Sequence, residues 1–184
     1  MTVPEAVIQA LNEGGVIAYP TEAVFGLGCD PDNEAAVMAL LAIKQRPVEK
    51  GLILIAANYS QLLPYVDDKA IPLEKRHQIF SSWPGHVSWV LPASKAAPAW
   101  ITGKFDSIAV RVSAHPVVQQ LCATYGKPLV STSANLSGQP SITDPVELEQ
   151  SLGAMLAAIM PGALGGATQP SQIRNALTGD IVRS

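Results

Sequence analysis

Three cations fall within seven residues at Lys44-Gln45-Arg46-Pro47-Val48-Glu49-Lys50, in a chain of 184 residues holding only 12 Lys and Arg. Lys44 ends a helical pattern, where a cation compensates the helix macrodipole. Arg46 and Lys50 stand beyond that helix, beside a hydrophobic strand, and the macrodipole explains them poorly. Converging there they suit a triphosphate, arginine as a planar fork and lysine as a point charge; a solvated face is the competing reading. Two further polar clusters follow strands, where α/β proteins tend to place their sites. Tyr19-Pro20-Thr21-Glu22-Ala23 sets a hydroxyl beside a rigid proline, able to bind a small polar ligand or simply to turn the chain. Ser131-Thr132-Ser133-Ala134-Asn135-Leu136-Ser137-Gly138 offers donors to phosphate or carboxylate oxygens, or is a plain exposed connection. Arg111 stands alone among Ile108-Ala109-Val110 and Val112. An unpaired buried charge costs several kcal/mol, so Arg111 requires a carboxylate partner, from the protein or from a ligand.

Other chemistries lack their signatures. There is no G-x-x-x-x-G-K-[ST], and Gly26-Leu27-Gly28 lacks the third glycine and the helix of a dinucleotide fingerprint. Neither G-x-S-x-G nor H-E-x-x-H occurs. His77, His86 and His115 share no ligand spacing and read as solvated or core-satisfied side chains. No nucleophile has a base beside it, so covalent catalysis is unsupported. Cations with hydroxyls and a metal suit phosphoryl or nucleotidyl transfer, which works through positioning and charge stabilisation. The residues alone therefore point to a small anionic or phosphorylated ligand.

The elements that must hold these residues alternate between helix and strand. Apolar residues make up 48% and charged residues 15%, which excludes a disordered chain, and the net charge of −3 excludes a polycation. No uninterrupted apolar run comes near the ~20 residues of a membrane span. The N-terminus, Met1-Thr2-Val3-Pro4-Glu5, shows no secretory signal. Cys29 and Cys122 share no metal spacing and read as reduced, buried thiols of a cytoplasmic protein. A Thr2-x-x-Glu5 capping box predicts a first helix ended by Gly14-Gly15. A strand at 16–19 follows, stopped by Pro20, then a helix over 33–44 capped by Asp32. Residues 52–56 are too uniformly apolar for a half-exposed strand and read as central. Further helices are predicted at 72–80, 116–125 and 146–152, and further strands at 86–91, 108–112 and 128–131. Residues 172–176 and 181–183 flank Leu177-Thr178-Gly179-Asp180 as a hairpin. One α/β domain over residues 1–184, with a mixed sheet, fits this order.

Together these tracts resemble the YrdC-type threonylcarbamoyl-AMP synthases, in their short single-domain bacterial form. The resemblance is carried, in the family's order, by Ala18-Tyr19-Pro20-Thr21-Glu22-Ala23-Val24-Phe25-Gly26-Leu27-Gly28-Cys29-Asp30, Lys44-x-Arg46-Pro47, Lys50-Gly51-Leu52-Ile53-Leu54-Ile55, Trp83-Pro84-Gly85, Ala109-Val110-Arg111-Val112, His115-Pro116 and the Ser131–Gly138 tract. It implies a twisted mixed parallel/antiparallel sheet with flanking helices and an open concave cavity. It also implies a two-step reaction. L-threonine and bicarbonate or CO2 give N-carboxythreonine, whose carboxylate attacks the α-phosphate of ATP, leaving threonylcarbamoyl-AMP and pyrophosphate. Mg2+ would accompany ATP, with no permanently bound cofactor. The product would pass to TsaB, TsaD and TsaE for modification of tRNA beside the anticodon.

By the same resemblance Lys44, Arg46 and Lys50 are triphosphate ligands, and Asn135 and Thr143 line the nucleotide, with Ser107 and Arg183 as further ATP-side positions. Arg111 becomes the partner of the threonine carboxylate, with Thr21, Ser133 and Ser171 as further threonine contacts. Lys44, Arg46, Ser133 and Asn135 are the expected catalytic set. Two positions depart from the pattern of many members: Ala23 where a threonine is common, and Ile55 where a histidine is common. The competing function is double-stranded RNA binding in ribosomal RNA maturation, since Lys44, Arg46, Lys50 and Arg111 would also attract an RNA backbone. The net charge of −3 and only ten aromatic residues argue against it.

Overall fold

Nine short strands pair into one mixed sheet in the computed structural model, which describes residues 2–183. In chain order the elements are α1 (Glu5–Asn12), β1 (Ile17–Pro20), β2 (Phe25–Gly28), α2 (Glu34–Lys44), β3 (Ile53–Ala56), α3 (Leu73–Ser81), β4 (Val87–Pro92) and α4 (Ala99–Thr102). They continue with β5 (Ser107–Val112), α5 (Pro116–Tyr125), β6 (Leu129–Ser133), α6 (Pro145–Leu152), β7 (Ala158–Ile159), β8 (Gln172–Asn175) and β9 (Ile181–Arg183). Across the sheet the order is β7-β1-β2-β6-β3-β5-β4-β8-β9. The pairs β1–β7, β3–β5 and β4–β8 are parallel and the remaining five antiparallel. As its composition predicts, β3 lies at the middle, with Leu54, Ile55 and Ala56 fully buried.

Period-two alternation sorts the strands onto two cores. Ile17, Tyr19, Ile55 and Leu129 face α1 and α5, meeting Val7, Leu11, Val118 and Leu121. Ala18, Leu54, Val110 and Val130 face the other way, where Leu40 of α2, Ile79 of α3 and Leu148 of α6 cover them. The pairing of β2 depends on its glycines. A Cβ on Gly28 would collide with the Val130 carbonyl and the Tyr19 ring, whose hydroxyl donates to Val130 O at 2.9 Å. The tyrosine ring thus lies across a strand stripped of side chains on that face.

Several boundaries differ from the sequence expectation. Pro4, fixed at φ −57°, stands at the N-cap of α1 and no side chain caps that helix, so the Thr2–Glu5 capping box does not form. Asn33 caps α2 by accepting from Ala36 N, while Asp32 instead pairs with Lys127. Pro20 continues β1 opposite Phe25 rather than stopping it. The strand β2, the short α4, β7 and a 3-10 segment at Tyr59–Tyr65 were not legible; β2 was hidden because glycine is depleted in strands. The helix Pro116–Tyr125, ended by left-handed Gly126, and the β8–β9 hairpin form as the spacing predicts. Between β7 and β8 a glycine-rich strap crosses the β1–β2 turn. Gly165 N donates to Thr21 O at 3.0 Å and Ala167 N to Glu22 O at 2.8 Å.

Candidate active site in a cationic cavity

One face of β3, β4 and β5 is left open by the helices, and a cavity of about 810 Å³ stands over it. Ser107, Ala109 and Arg111 alternate along β5 to line it, while Val110 and Val112 turn to the core. The first wall is the segment after α2. Gln45 adopts a left-handed φ of 48°, breaking the helix, and a single 3-10 turn at Val48–Lys50 carries the chain into β3. Arg46 closes this loop on itself, its Nε and Nη2 donating to Gly51 O at 3.2 and 3.0 Å. The end of α4 braces the loop from behind, with Lys104 N donating to Glu49 O at 3.0 Å and Leu52 N to Ile101 O at 2.9 Å.

Lys44 reaches from the last turn of α2 to the loop after β6. Its Nζ donates to Ser133 O at 2.8 Å and to Asn135 Oδ1, and Ser133 Oγ donates to Asn135 Oδ1 at 2.8 Å. Burial first, and the Arg46 charge second, hold the Lys44 ammonium below the usual lysine value. Burial lowers Arg46 as well. Lys50 is exposed at the cavity wall, and its ammonium makes no hydrogen bond or ion pair to another described residue.

The far end is built around Arg111, only 5% exposed. Its Nη1 lies 3.1 Å from Glu22 Oε1 and 3.1 Å from His86 Nδ1, while its Nε is buried with no acceptor. Glu22 is held in turn by Ser113 Oγ at 3.1 Å. The protein carboxylate foreseen for this arginine is therefore present, and one edge of the guanidinium is still unpartnered. Arg183 donates through Nε to Ser171 O at 2.9 Å and through Nη2 to Ser171 Oγ at 3.0 Å. Burial, then the facing Arg111 charge, lowers Arg183 below the usual arginine value. Thr21 Oγ1 donates to Val24 O at 2.6 Å, leaving its lone pairs toward the cavity.

Thr21, Lys44, Arg46, Lys50, Ser107, Arg111, Ser133, Ser171 and Arg183 all line this one cavity. Asn135 does not; it stands behind Lys44 as an acceptor. Thr143 does not either; it is exposed beside the N-cap of α6. Of the departures, Ala23 lines the cavity, whereas Ile55 points away from it into the α1–α5 core. His86, expected as a solvated or core-satisfied side chain, instead lines the cavity against Arg111. Its signal lay in the alternation of His86, Ser88 and Val90, which puts His86 and Val90 on the cavity face and leaves Trp89 and Leu91 for the core. No aspartate or glutamate is among the described lining residues, against five cations and His86. Burial pushes the thiols of Cys29 and Cys122 up to about 12, and neither lines the site.

Residues 9–184 match the model of the Sua5/YciO/YrdC family, described as Telomere recombination. The chain is 63% identical over 177 residues to the threonylcarbamoyl-AMP synthase of Yersinia enterocolitica, covering 96% of this chain and 93% of that protein. It is 60% identical over 178 residues to an Escherichia coli protein of the same name, covering 97% and 93%. Among solved structures, P. abyssi Sua5 complexed with L-threonine superposes with a TM-score of 0.84 at 32% identity, over 92% of this chain and 49% of that one. This chain thus spans about half the length of that Sua5. On sequence, topology and cavity together, the chain belongs to the Sua5/YciO/YrdC family.

Proposed function

We propose that this chain is a threonylcarbamoyl-AMP synthase, joining L-threonine, bicarbonate or CO2 and ATP into threonylcarbamoyl-AMP and pyrophosphate. The observation that carries this reading is a cavity whose described lining holds five cations and no aspartate or glutamate, in a chain 63% identical to a protein of that name. The phosphates and carboxylates of the substrates are anions, which such a lining attracts.

Each end of the cavity has its own work. Arg111, fixed at Nη1 by Glu22 and His86, offers its remaining edge to the threonine carboxylate. Thr21, Ser133 and Ser171 supply further threonine contacts. The threonine nitrogen, once its ammonium has lost a proton to solvent, bonds to the carbon of CO2 and releases a second proton to solvent, or bonds to the carbon of bicarbonate, whose hydroxide leaves with that proton as water. An oxygen of the new carboxylate then attacks the α-phosphorus, and the bond to the bridging oxygen breaks. Lys44, Arg46 and Lys50, with Ser107 and Arg183, hold the phosphates. The first three also stabilise the charge that builds on the departing pyrophosphate. Asn135 acts through Lys44, and Thr143 would reach the nucleotide only if the Ser137–Thr143 loop folds toward the cavity. Mg2+ belongs to the nucleotide substrate. Carried in by the phosphates, it would neutralise part of their charge, and the hydroxyls of Ser107, Ser131 and Ser133 are the oxygen donors nearby that would help to hold it.

The one-domain reading over residues 1–184 is part of this proposal and is supported by a sheet continuous from β7 to β9. So are the cytoplasmic location and delivery of the product to TsaB, TsaD and TsaE for tRNA modification. The double-stranded RNA reading is not favoured, since five of the twelve cations converge inside the cavity. The test is pyrophosphate release from ATP with Mg2+ and bicarbonate. Release that requires L-threonine, and that serine does not support, is expected. ATP binding without any threonine-dependent release would overturn the proposal.

A further inference from the structure

Arg111 shares one nitrogen between two acceptors. Glu22 Oε1 and His86 Nδ1 each lie 3.1 Å from its Nη1. A guanidinium only donates, so His86 Nδ1 is the acceptor. The imidazole proton therefore sits on Nε2, which donates to Gln169 O at 2.8 Å. His86 thus ties Arg111 of β5 to the strap that ends in Pro170 and Ser171, both cavity residues. The charged groups of this assembly are Arg111 of β5, which touches the imidazole, Glu22 of the β1–β2 turn, which touches Arg111, and Arg183 of β9, whose charge faces Arg111. Ser88 and Ser171, 3.3 Å apart, fill the space between β4 and the strap with uncharged oxygens.

A second proton on this imidazole would turn the Nδ1 acceptor into a donor facing a donor. It would also set a cation 3.1 Å from the buried Arg111 guanidinium. Histidine is the side chain that changes charge near neutral pH. We infer that His86 is a positioning residue: its neutral imidazole fixes Arg111 for the amino-acid carboxylate, and its protonation weakens amino-acid binding. The ligand in this inference rests on the synthase reading.

Two measurements on the full chain test it. Long-range nitrogen–proton NMR of the ligand-free protein at neutral pH should show His86 protonated at Nε2 and unprotonated at Nδ1; the opposite tautomer overturns the inference. Calorimetry of L-threonine binding at falling pH should show affinity dropping about tenfold once the NMR shows Nδ1 protonated, the scale of one lost charged hydrogen bond. His86→Leu should bind about tenfold more weakly at neutral pH and show no acid loss. His86→Gln offers an oxygen to Arg111 and an N–H to Gln169 without titrating. It should recover most of the neutral-pH affinity and stay flat in acid, and it decides the matter if the leucine variant does not fold. An acid loss that survives in His86→Gln, or wild-type affinity in His86→Leu, overturns the inference. L-threonine that fails to bind at any pH, with the tautomer as stated, overturns the synthase reading and this inference with it.

Discussion

Lys44 and Lys50 carry the same formal charge with unequal freedom. Lys44 is committed to Ser133 and Asn135, while Lys50 stands open to the cavity. Truncating Lys50 therefore removes a phosphate contact and disturbs nothing else. Lys50→Ala should weaken ATP binding about tenfold and leave L-threonine affinity alone in calorimetry; unchanged ATP affinity would remove Lys50 from the phosphate set. Arg111→Ala acts on two levels, because it also strands the Glu22 carboxylate on Ser113 alone. A buried pair broken on one side costs about 3–5 kcal/mol, so thermal melting should drop along with threonine binding. Adding Glu22→Gln should recover the melting temperature without recovering threonine affinity. The basic cluster and the anomalous arginine were legible as residue types at odd positions. Which cation is free was not, because the partner of Lys44 stands 89 positions away in sequence.

At the level of elements, the basic loop is only as well placed as the turn behind it. Gly103 ends α4 at φ +65°, and a Cβ there would run into Glu49 O and Gly51 N. Gly103→Ala should push the Val48–Lys50 turn into the cavity and raise the Kd for ATP more than that for threonine. Equal effects on both would mean general unfolding instead. Elsewhere Lys127, before β6, binds Asp30 at 2.6 Å and also Asp32, and Tyr125 and Tyr65 donate to the same two carboxylates. Burial raises Asp30, but the bonds from Lys127, Asp32 N and Tyr125 outweigh it and hold the carboxyl below its usual value. A depressed carboxyl stabilises the fold above its unfolded pKa, near 4, and that stability is lost as pH falls through the lower folded value. Lys127→Met should cut the melting temperature by about 2–4 °C at neutral pH and shrink that gap below about pH 4. Helix ends written in Pro116 and Gly126 could be read directly. The strand β2 could not, because its two glycines make sense only once Tyr19 is seen lying over them.

For the molecule as a whole, the mixed α/β class was legible and the strand order was not. β6 inserts between β2 and β3, and β8 lies beside β4, so the site gathers residues from Thr21 to Arg183 through pairings that leave no local trace. Five cations line one cavity of a chain with net charge −3, and on the proposed assignment the released pyrophosphate is a ligand of the same wall that holds the triphosphate. Added pyrophosphate should inhibit turnover competitively against ATP and not against threonine; a reversed pattern would place the phosphates elsewhere. The absence of carboxylates among the described lining residues has one more consequence. Threonylcarbamoyl-AMP is a mixed anhydride, an acylating agent that a nearby carboxylate, thiolate or free amine would attack. Among the described lining residues there is no carboxylate and no thiol, and Lys44 is tied by hydrogen bonds to the oxygens of Ser133 and Asn135. The amine that stands open to the product is Lys50, so self-acylation, where it occurs, should fall there.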